Sequence, residues 1–227
     1  TLSKGLQILD FIALNNGPVM LRQVMNELKM TKPTAHRLLA TLVDHGMVRF
    51  DSTDNTYRLG MRLFELSRQV WRDFDLRSSV ISEMQKLSLE TGETVYLAIL
   101  TSEGGVYIDE VQSSHQIREQ SRIGQRVSYW KSAVGKALIS GLSIDERATL
   151  LATSKTEIIR DTEFDNLQKL NLHLDLVNAR GYAVEIDDDI PGISGVAAPI
   201  LDHRGITDAA ISLSGSTQRL NREELHN

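Results

Sequence analysis

One helix-sized stretch constrains this chain more than any other: Thr31-Lys32-Pro33-Thr34-Ala35-His36-Arg37-Leu38-Leu39-Ala40-Thr41-Leu42. Ala35, Leu38, Leu39 and Leu42 recur at i, i+3, i+4 and i+7, the spacing of a buried helical stripe. Thr31 is placed to cap this helix, its hydroxyl accepting a free N–H of the first turn. Pro33 falls in that turn, where a missing N–H costs little, and Gly46 supplies the stop. The face opposite the stripe carries Lys32, Thr34, His36, Arg37 and Thr41, all basic or hydrogen-bonding. A shorter apolar pattern, Leu21, Val24, Met25 and Leu28, marks a second helix just before it, so the pair reads as a helix-turn-helix.

The flanks extend that motif. Leu2, Leu6, Leu9 and Ala13, supported by Ile8 and Ile12, predict a first helix that ends at Gly17-Pro18. Met47 to Phe50 and Tyr57 to Leu59 predict two strands joined by the polar turn Asp51 to Thr56. Three helices and a hairpin outline a winged helix-turn-helix domain over residues 1–60. On such a domain the second helix of the motif reads base edges in the major groove. Arg37 can pair bidentately with guanine, and Pro33, Thr34 and His36 lie in the same first turns. Arg22, Lys32, Arg49, Asn55, Tyr57 and Arg58 are placed to bind phosphates. The net charge of -5 argues against DNA only if spread evenly. Residues 1–60 hold seven Lys or Arg against five Asp or Glu, and the remainder holds 18 against 25. The basic excess therefore sits where phosphate contact is needed.

Residues 61–74 carry Leu63, Phe64, Leu66, Val70, Trp71 and Phe74 in an amphipathic helical pattern and predict a linker helix. From residue 75 to 227 the pattern becomes mixed. Helices are expected at 76–90, 134–141, 144–152 and 163–180, and strands at 94–100, 106–111, 117–128, 182–186, 195–201 and 209–214. The hairpin signal Ser102-Glu103-Gly104-Gly105 and the lack of regular βαβ alternation predict an α+β domain with a mainly antiparallel sheet. Thr1 is not an initiator Met, and Asn221 to Glu224 begins a capping box just before the sequence stops, so both termini are expected to be truncated.

Within this second domain, Ser132 can cap a helix starting near Ala133. The N–H groups of Ala133, Val134 and Gly135 would then point outward as a carboxylate site. Ser212 and Ser214 alternate with Ile211 and Leu213, so both hydroxyls share one strand face. Glu185 and Asp187 alternate likewise with Val184 and Ile186. Asp188 and Asp189 read as a solvated acidic turn. Val134-Gly135-Lys136 is not a phosphate loop, because Trp130 stands five positions before Gly135 and Ala137 follows the lysine. With no cysteine and six scattered histidines, no catalytic or metal-binding arrangement and no cofactor is expected. The missing thiols fit a reducing cytoplasm, and no apolar run approaches a membrane span.

Several ordered pieces together resemble the IclR family of bacterial transcriptional regulators over essentially the whole chain. They are Leu2 to Asp10, Thr31 to Gly46, Tyr57 to Gly60, Trp130 to Ile139, Arg180 to Val184, Gly195 to Ile200 and Ala210 to Gly215. The tract Ser121 to Gly135 looks most like the sugar-acid-responsive KdgR-like branch. Lys29 departs from the pattern: the family commonly places Gly there, and a side chain at that turn implies left-handed strain. The resemblance implies a GAF-like effector-binding domain behind the winged helix. It implies a pocket drawn from Ser132, Ala133, Val134, Gly135, Glu185, Asp187, Ser212 and Ser214. It also implies double-stranded operator DNA and a small carboxylate or sugar-acid effector as partners, a homodimer or homotetramer, and no enzymatic activity. The linker helix is expected to carry effector binding to the DNA-reading helices. The alternative from the residues alone is a small-molecule-binding or catalytic domain whose winged helix makes protein contacts.

Overall fold

The structure, a computed structural model, describes residues 1–15, 17–72, 75–101, 104–115, 121–153 and 167–220. The chain divides into two compact units, Thr1–Asp75 and Leu76–Asn227. The first contains α1 (Leu2–Leu14), β1 (Val19–Met20), α2 (Leu21–Glu27), α3 (Lys32–Asp44), β2 (Val48–Asp51), β3 (Thr56–Leu59) and α4 (Met61–Arg72). Its core gathers Ile8 and Ile12 of α1, Val24 of α2 and Ala35, Leu38 and Leu39 of α3 against Val48 and Tyr57 of the sheet. Burying each large aliphatic side chain contributes roughly 1.5–3 kcal/mol.

The helix-turn-helix is therefore built on the expected stripe of α3. Its end is a Schellman motif: Gly46 lies at φ +69°, its N–H donates to Val43, and Met47 N–H donates to Leu42. The turn after α2 has the same construction, with Met30 N–H reaching the Met25 carbonyl. There the left-handed position is taken by Lys29, at φ +49°. The strain expected from a side chain at this position is present.

Three local expectations are corrected. Thr31 occupies the N-cap position of α3 but caps no backbone N–H; its hydroxyl pairs with that of Thr34 at 3.0 Å. On α1 the inward face is Gly5, Ile8 and Ile12, while Leu2 and Leu6 are 79% and 53% exposed. The sequence held two overlapping stripes, and packing selected the one nearer Ile8. The hairpin also gains a third strand, because Val19 and Met20 pair with Tyr57 and Thr56 to give the order β1-β3-β2.

The second unit runs α5 (Asp75–Thr91), β4 (Thr94–Thr101), β5 (Gly104–Val111), α6 (Ala133–Ser140), α7 (Ile144–Thr153), α8 (Leu167–Arg180), β6 (Ala183–Ile186), β7 (Ile193–Leu201) and β8 (Thr207–Ser216). The sheet order is β5-β4-β8-β7-β6, antiparallel at every pairing. Every residue of α6 is buried, and α6 packs on β6, β7, β8 and α8. Its C-terminus is held by Arg147, whose guanidinium donates to the Ile139 and Ser140 carbonyls at 3.2 and 2.6 Å. These bonds satisfy carbonyls that a buried helix end would leave orphaned.

The strand expected over 117–128 is not formed at 121–128, where Val106 and Arg126 make one isolated bridge. Backbone bonds from Tyr107 to Gln125 and from Val127 to Gly105 tie this loop to β5 instead. Residues 117–120, 163–166 and the expected cap at Asn221 lie outside the described residues, as do Phe74 of the expected linker helix and Ser102-Glu103 of the expected hairpin signal.

Candidate functional site

In the first unit, α3 turns Lys32, Pro33, His36 and Arg37 to solvent and leaves Thr34 half-buried. Thr41, on the same face, has its hydroxyl bonded to the Arg37 carbonyl at 2.9 Å. Arg22 is exposed on α2. The wing supplies a stronger electrostatic signal. Arg49 and Arg58 are direct cross-strand partners, both exposed. Like charges opposite one another destabilise a hairpin, and an anion lying across them removes that cost. Asn55 sits at the wing tip at φ +53°, a conformation that asparagine tolerates well. Tyr57 differs from its expected position: its ring is buried in the core and tilted against Phe50 at a centroid distance of 4.9 Å. It supports the wing from beneath, because the residue alternates with Arg58 along the strand.

In the second unit the sequence-predicted residues converge on one buried nook. Ser132, Ala133, Val134, Glu185, Ser212 and Ser214 line it, together with Tyr96, Tyr107, Arg122, Gly195 and Leu213. Strand register explains the convergence. Ser212 pairs with Tyr96 and Ala197, and Ser214 with Thr94 and Gly195. Gly195 leaves room there, since a Cβ would stand 2.7 Å from the Leu213 carbonyl. Gly135 likewise lets α6 approach the Ser128 carbonyl, only 2.1 Å from where its Cβ would be.

The α6 N-terminus is not open as expected. Ser132 caps it, accepting from Gly135 N–H at 3.1 Å. Glu185 Oε2 accepts from Ala133 N–H at 2.6 Å. Burial pushes the Glu185 carboxyl up to about 8, helped by the negative charge of Asp189 and opposed by the Ala133 N–H. The group is therefore held mainly neutral at pH 7, despite Arg122 and Lys136 nearby. Ser212 and Ser214 are 6% and 8% exposed, and neither hydroxyl has a hydrogen-bond partner among the described residues. Both serines line the nook, where their hydroxyls are available to a ligand's oxygens.

Asp187 does not join this group. The strand ends at Ile186, and Asp187 turns away at φ +58°, exposed, accepting from Gly192 N–H and the Thr217 hydroxyl at 2.7 and 2.9 Å. The alternation that linked it to Glu185 stops one residue too soon. Nor are Asp188 and Asp189 a merely solvated turn. Asp188 accepts from Lys136 Nζ at 3.3 Å, and that lysine is 1% exposed. Asp189 accepts from Arg122 at 2.9 Å. Arg122 also donates to the Tyr107 hydroxyl at 2.9 Å and lies over its ring. Arg122 and Tyr107 line the nook and were missed by sequence reasoning, as was the buried pairing of Lys136 with Asp188. Only the acidic run itself could have pointed to buried cations.

A larger cavity of about 470 Å³ adjoins the nook and shares Arg122 and Ser214 with it. Its far wall holds Glu93, 2% exposed, which accepts two bonds from the Arg219 guanidinium. Gly215 makes that approach possible, since a Cβ there would stand 2.4 Å from a Glu93 oxygen. Among the described residues no group of three or more metal-ligating side chains is present, and no helix is long and apolar enough to cross a membrane.

A winged helix with exposed basic residues and a separate unit enclosing a polar pocket define a ligand-responsive DNA-binding regulator. Comparison with known proteins gives the family. The IclR helix-turn-helix domain matches residues 1–52, and the C-terminal domain of bacterial IclR transcriptional regulators matches residues 68–227. This chain belongs to the IclR family of transcriptional regulators and is not an enzyme. It is 31% identical to the Escherichia coli regulator XynR over 227 residues, covering 100% of this chain and 90% of that protein. It is 31% identical to the Dickeya chrysanthemi regulator KdgR over 90% of this chain and 67% of that one. An IclR homologue from Microbacterium hydrocarbonoxydans, solved with 4-hydroxybenzoate, shares the fold at a TM-score of 0.81, with 20% identity over 99% of this chain and 92% of that one.

Proposed function

We propose that this chain regulates a catabolic operon for a small organic or sugar acid, and that the acid binds in the nook between α6, β6 and β8. The observation that carries this reading is that the buried residues Ser212, Ser214 and Glu185 line one nook with Ser132 and Ala133 at the N-terminus of α6, the Glu185 carboxyl being raised to about 8. That combination favours a carboxylate flanked by oxygen functions, because the helix start attracts an anion and Glu185 does not repel it. The 4-hydroxybenzoate complex of the Microbacterium homologue supports a carboxylate as the ligand class. Ser132, Ala133 and Val134 form the anion-facing side, with Gly135 serving packing and Asp187 serving the turn.

The DNA-reading set is Lys32, Pro33, Thr34, His36 and Arg37 on α3, with Arg22, Arg49, Asn55 and Arg58 on phosphates. Residues 1–60 act as the DNA-binding domain, 61–74 as the linker helix and 75–227 as the effector domain, in a cytoplasmic homodimer or homotetramer. Leu2, Leu6 and Leu14 of α1 and Met61 and Phe64 of α4 are large apolar side chains more than half exposed, which supports a partner copy covering them. Two copies then address a roughly palindromic operator, and effector binding alters operator affinity through α4.

The test starts with selecting the operator from a random duplex pool. Anisotropy titrations at several salt concentrations then follow, with and without acids from a carboxylate panel. Arg37→Ala is expected to cost about 1–3 kcal/mol of operator binding and relax one base position. Arg49→Ala is expected to lower the salt slope by about one. An acid that raises the melting temperature of the wild type but not of Ser212→Ala or Ser214→Ala locates the pocket. Operator affinity unmoved by any stabilising acid would sink the proposal.

A further inference from the structure

Helices α7 and α8 turn an apolar surface to solvent. Ile144 of α7 and Leu167, Leu172 and Leu176 of α8 are all exposed. Between the two helices lies a recess of about 420 Å³, lined by Ile144 and Ala148 of α7 and by Gln168, Asn171, Leu172 and Asp175 of α8. Those four α8 positions follow i, i+3, i+4 and i+7, the outline of the hole that a side chain from another helix fills in knobs-into-holes packing. The recess is pre-formed, because buried Arg147 reaches from α7 to the Asn171 side chain at 3.3 Å and to Asp175 at 2.9 Å. Grouped apolar side chains of this kind on a folded surface mark a contact with another molecule.

The charges around the recess select the occupant. Asp145, Glu146 and Asp175 are exposed at its rim and disfavour an anionic lipid surface. Lys169 and Asp175 stand three residues before and after Leu172. At about 100° per residue they lie roughly 60° to either side of it on the helix. Consider a two-fold axis beside Leu172, with two copies of α8 crossing at about −50°, the commonest packing angle of helices. Leu172 and Leu176 then meet their own counterparts, and Lys169 of each copy comes to Asp175 of the other. The Asp175 carboxylate is fixed by Arg147 yet its side chain stays 60% exposed, so it has room for that second cation. The face is therefore complementary to itself in apolar surface and in charge, as an isologous contact requires.

We propose that the α7–α8 face is a two-fold contact between the second units of two copies of this chain. This rests on the self-association proposed above and adds a second surface to the one on α1 and α4. Two self-complementary faces on one chain build a tetramer where one face builds a dimer.

The test uses cross-linking and mass, both on the full chain. The chain has no cysteine, so an introduced one reports its own contacts. Leu172→Cys is expected to give a disulfide-linked dimer under mild oxidation about tenfold or more faster than Asn178→Cys, since a held pair has a much higher effective concentration than a colliding one. Asn178 is exposed on the same helix but turned away from the axis. Adding Lys169→Glu to Leu172→Cys sets carboxylates against each other and is expected to slow the linkage to the Asn178→Cys rate, whereas Lys169→Arg preserves it. By sedimentation velocity the wild type is expected to be a tetramer and Leu176→Glu a dimer. Equal linkage rates for Leu172→Cys and Asn178→Cys, linkage indifferent to Lys169→Glu, or a mass unmoved by Leu176→Glu would overturn the proposal, the recess then belonging to a small molecule or a different protein. In those cases association through α1 and α4 still stands. A monomeric wild type would remove the self-association reading, and this contact with it.

Discussion

Glu185→Gln is the perturbation that most directly probes the pocket. In the folded chain the Glu185 carboxyl is raised from its ordinary 4.5 to about 8, burial being the main cause. A raised acid pKa means the folded state holds a proton that the unfolded state has lost. Stability from this group is thus fully present below pH 4.5 and is lost as pH rises, until the folded carboxyl ionises near pH 8. The slope within that window is up to ~1.4 kcal/mol per pH unit, so between pH 5 and pH 8 the loss is on the order of 3 kcal/mol. Glutamine keeps the shape and can still accept from Ala133 N–H, but it does not titrate. Wild type and variant are expected to have similar melting temperatures at pH 5. By pH 8 they separate by roughly 5–10 °C in favour of Glu185→Gln, using the scaling for chains of this size. Effector binding gives an independent measure. If the effector carboxylate binds as proposed, above about pH 8 the ionised Glu185 competes with it for the α6 N-terminus, so wild-type affinity is expected to fall while that of the variant stays flat. Melting curves by differential scanning calorimetry, and titrations with any bound acid, read both effects. Parallel pH profiles for the two proteins from pH 5 to pH 8 would refute the reasoning, because Glu185 would then be ionised in the native pocket.

Two further outcomes follow from the DNA-binding unit. Lys29→Gly removes a side chain from φ +49° in the turn before α3; the strain relieved exceeds the added chain entropy, so stability is expected to rise by about 0.5–1 kcal/mol, read as a higher urea midpoint with unchanged slope, and a lowered midpoint would contradict it. Gly60→Ala would put a Cβ 2.0 Å from the Gly46 carbonyl oxygen, which is backbone and cannot yield cheaply; operator binding is expected to drop at least 100-fold while effector affinity, measured by calorimetry, stays within twofold, and intact operator binding would contradict it.

The elements that were legible in the sequence are those whose signal is local. The α3 stripe has a period of 3.6 residues and needs only Ala35 to Leu42 to be seen. The Ser212 and Ser214 face has a period of two and needs only three residues. Ser132 as a cap follows from its place before α6. What was illegible depends on partners brought together by the sheet. Lys136 and Asp188 lie 52 positions apart, and nothing near Arg122 marks it as the partner of Asp189. Asp187 was misplaced because alternation continues through it in sequence while its backbone turns left-handed. The strand at Val19-Met20 is too short for any periodicity and exists because Tyr57 offers an edge. Even the visible face of α1 depended on the core, since two apolar stripes competed and only packing chose between them.

The geometry around Gly46 suggests how little energy regulation requires. Gly46 ends α3, and its carbonyl accepts from Arg62 N–H at 3.2 Å in the first turn of α4. Gly60 N–H donates to the Met47 carbonyl at 2.8 Å. The start of α4 is thus hydrogen-bonded to the residues that terminate α3, and under the proposed function a reorientation of α4 would be passed to α3 through these bonds. A ligand shifts such an equilibrium only by its differential affinity for the two arrangements. A tenfold change in operator affinity needs ~1.4 kcal/mol. A hydrogen bond to a neutral group contributes roughly 0.5–1.5 kcal/mol, so the two hydroxyls of Ser212 and Ser214, if engaged in only one arrangement, supply enough. Under the proposed function the pocket therefore needs no large movement to act as a sensor. What the proposal asks of Ser212 and Ser214 is that they line the nook and can reach the acid's oxygens, and both line it.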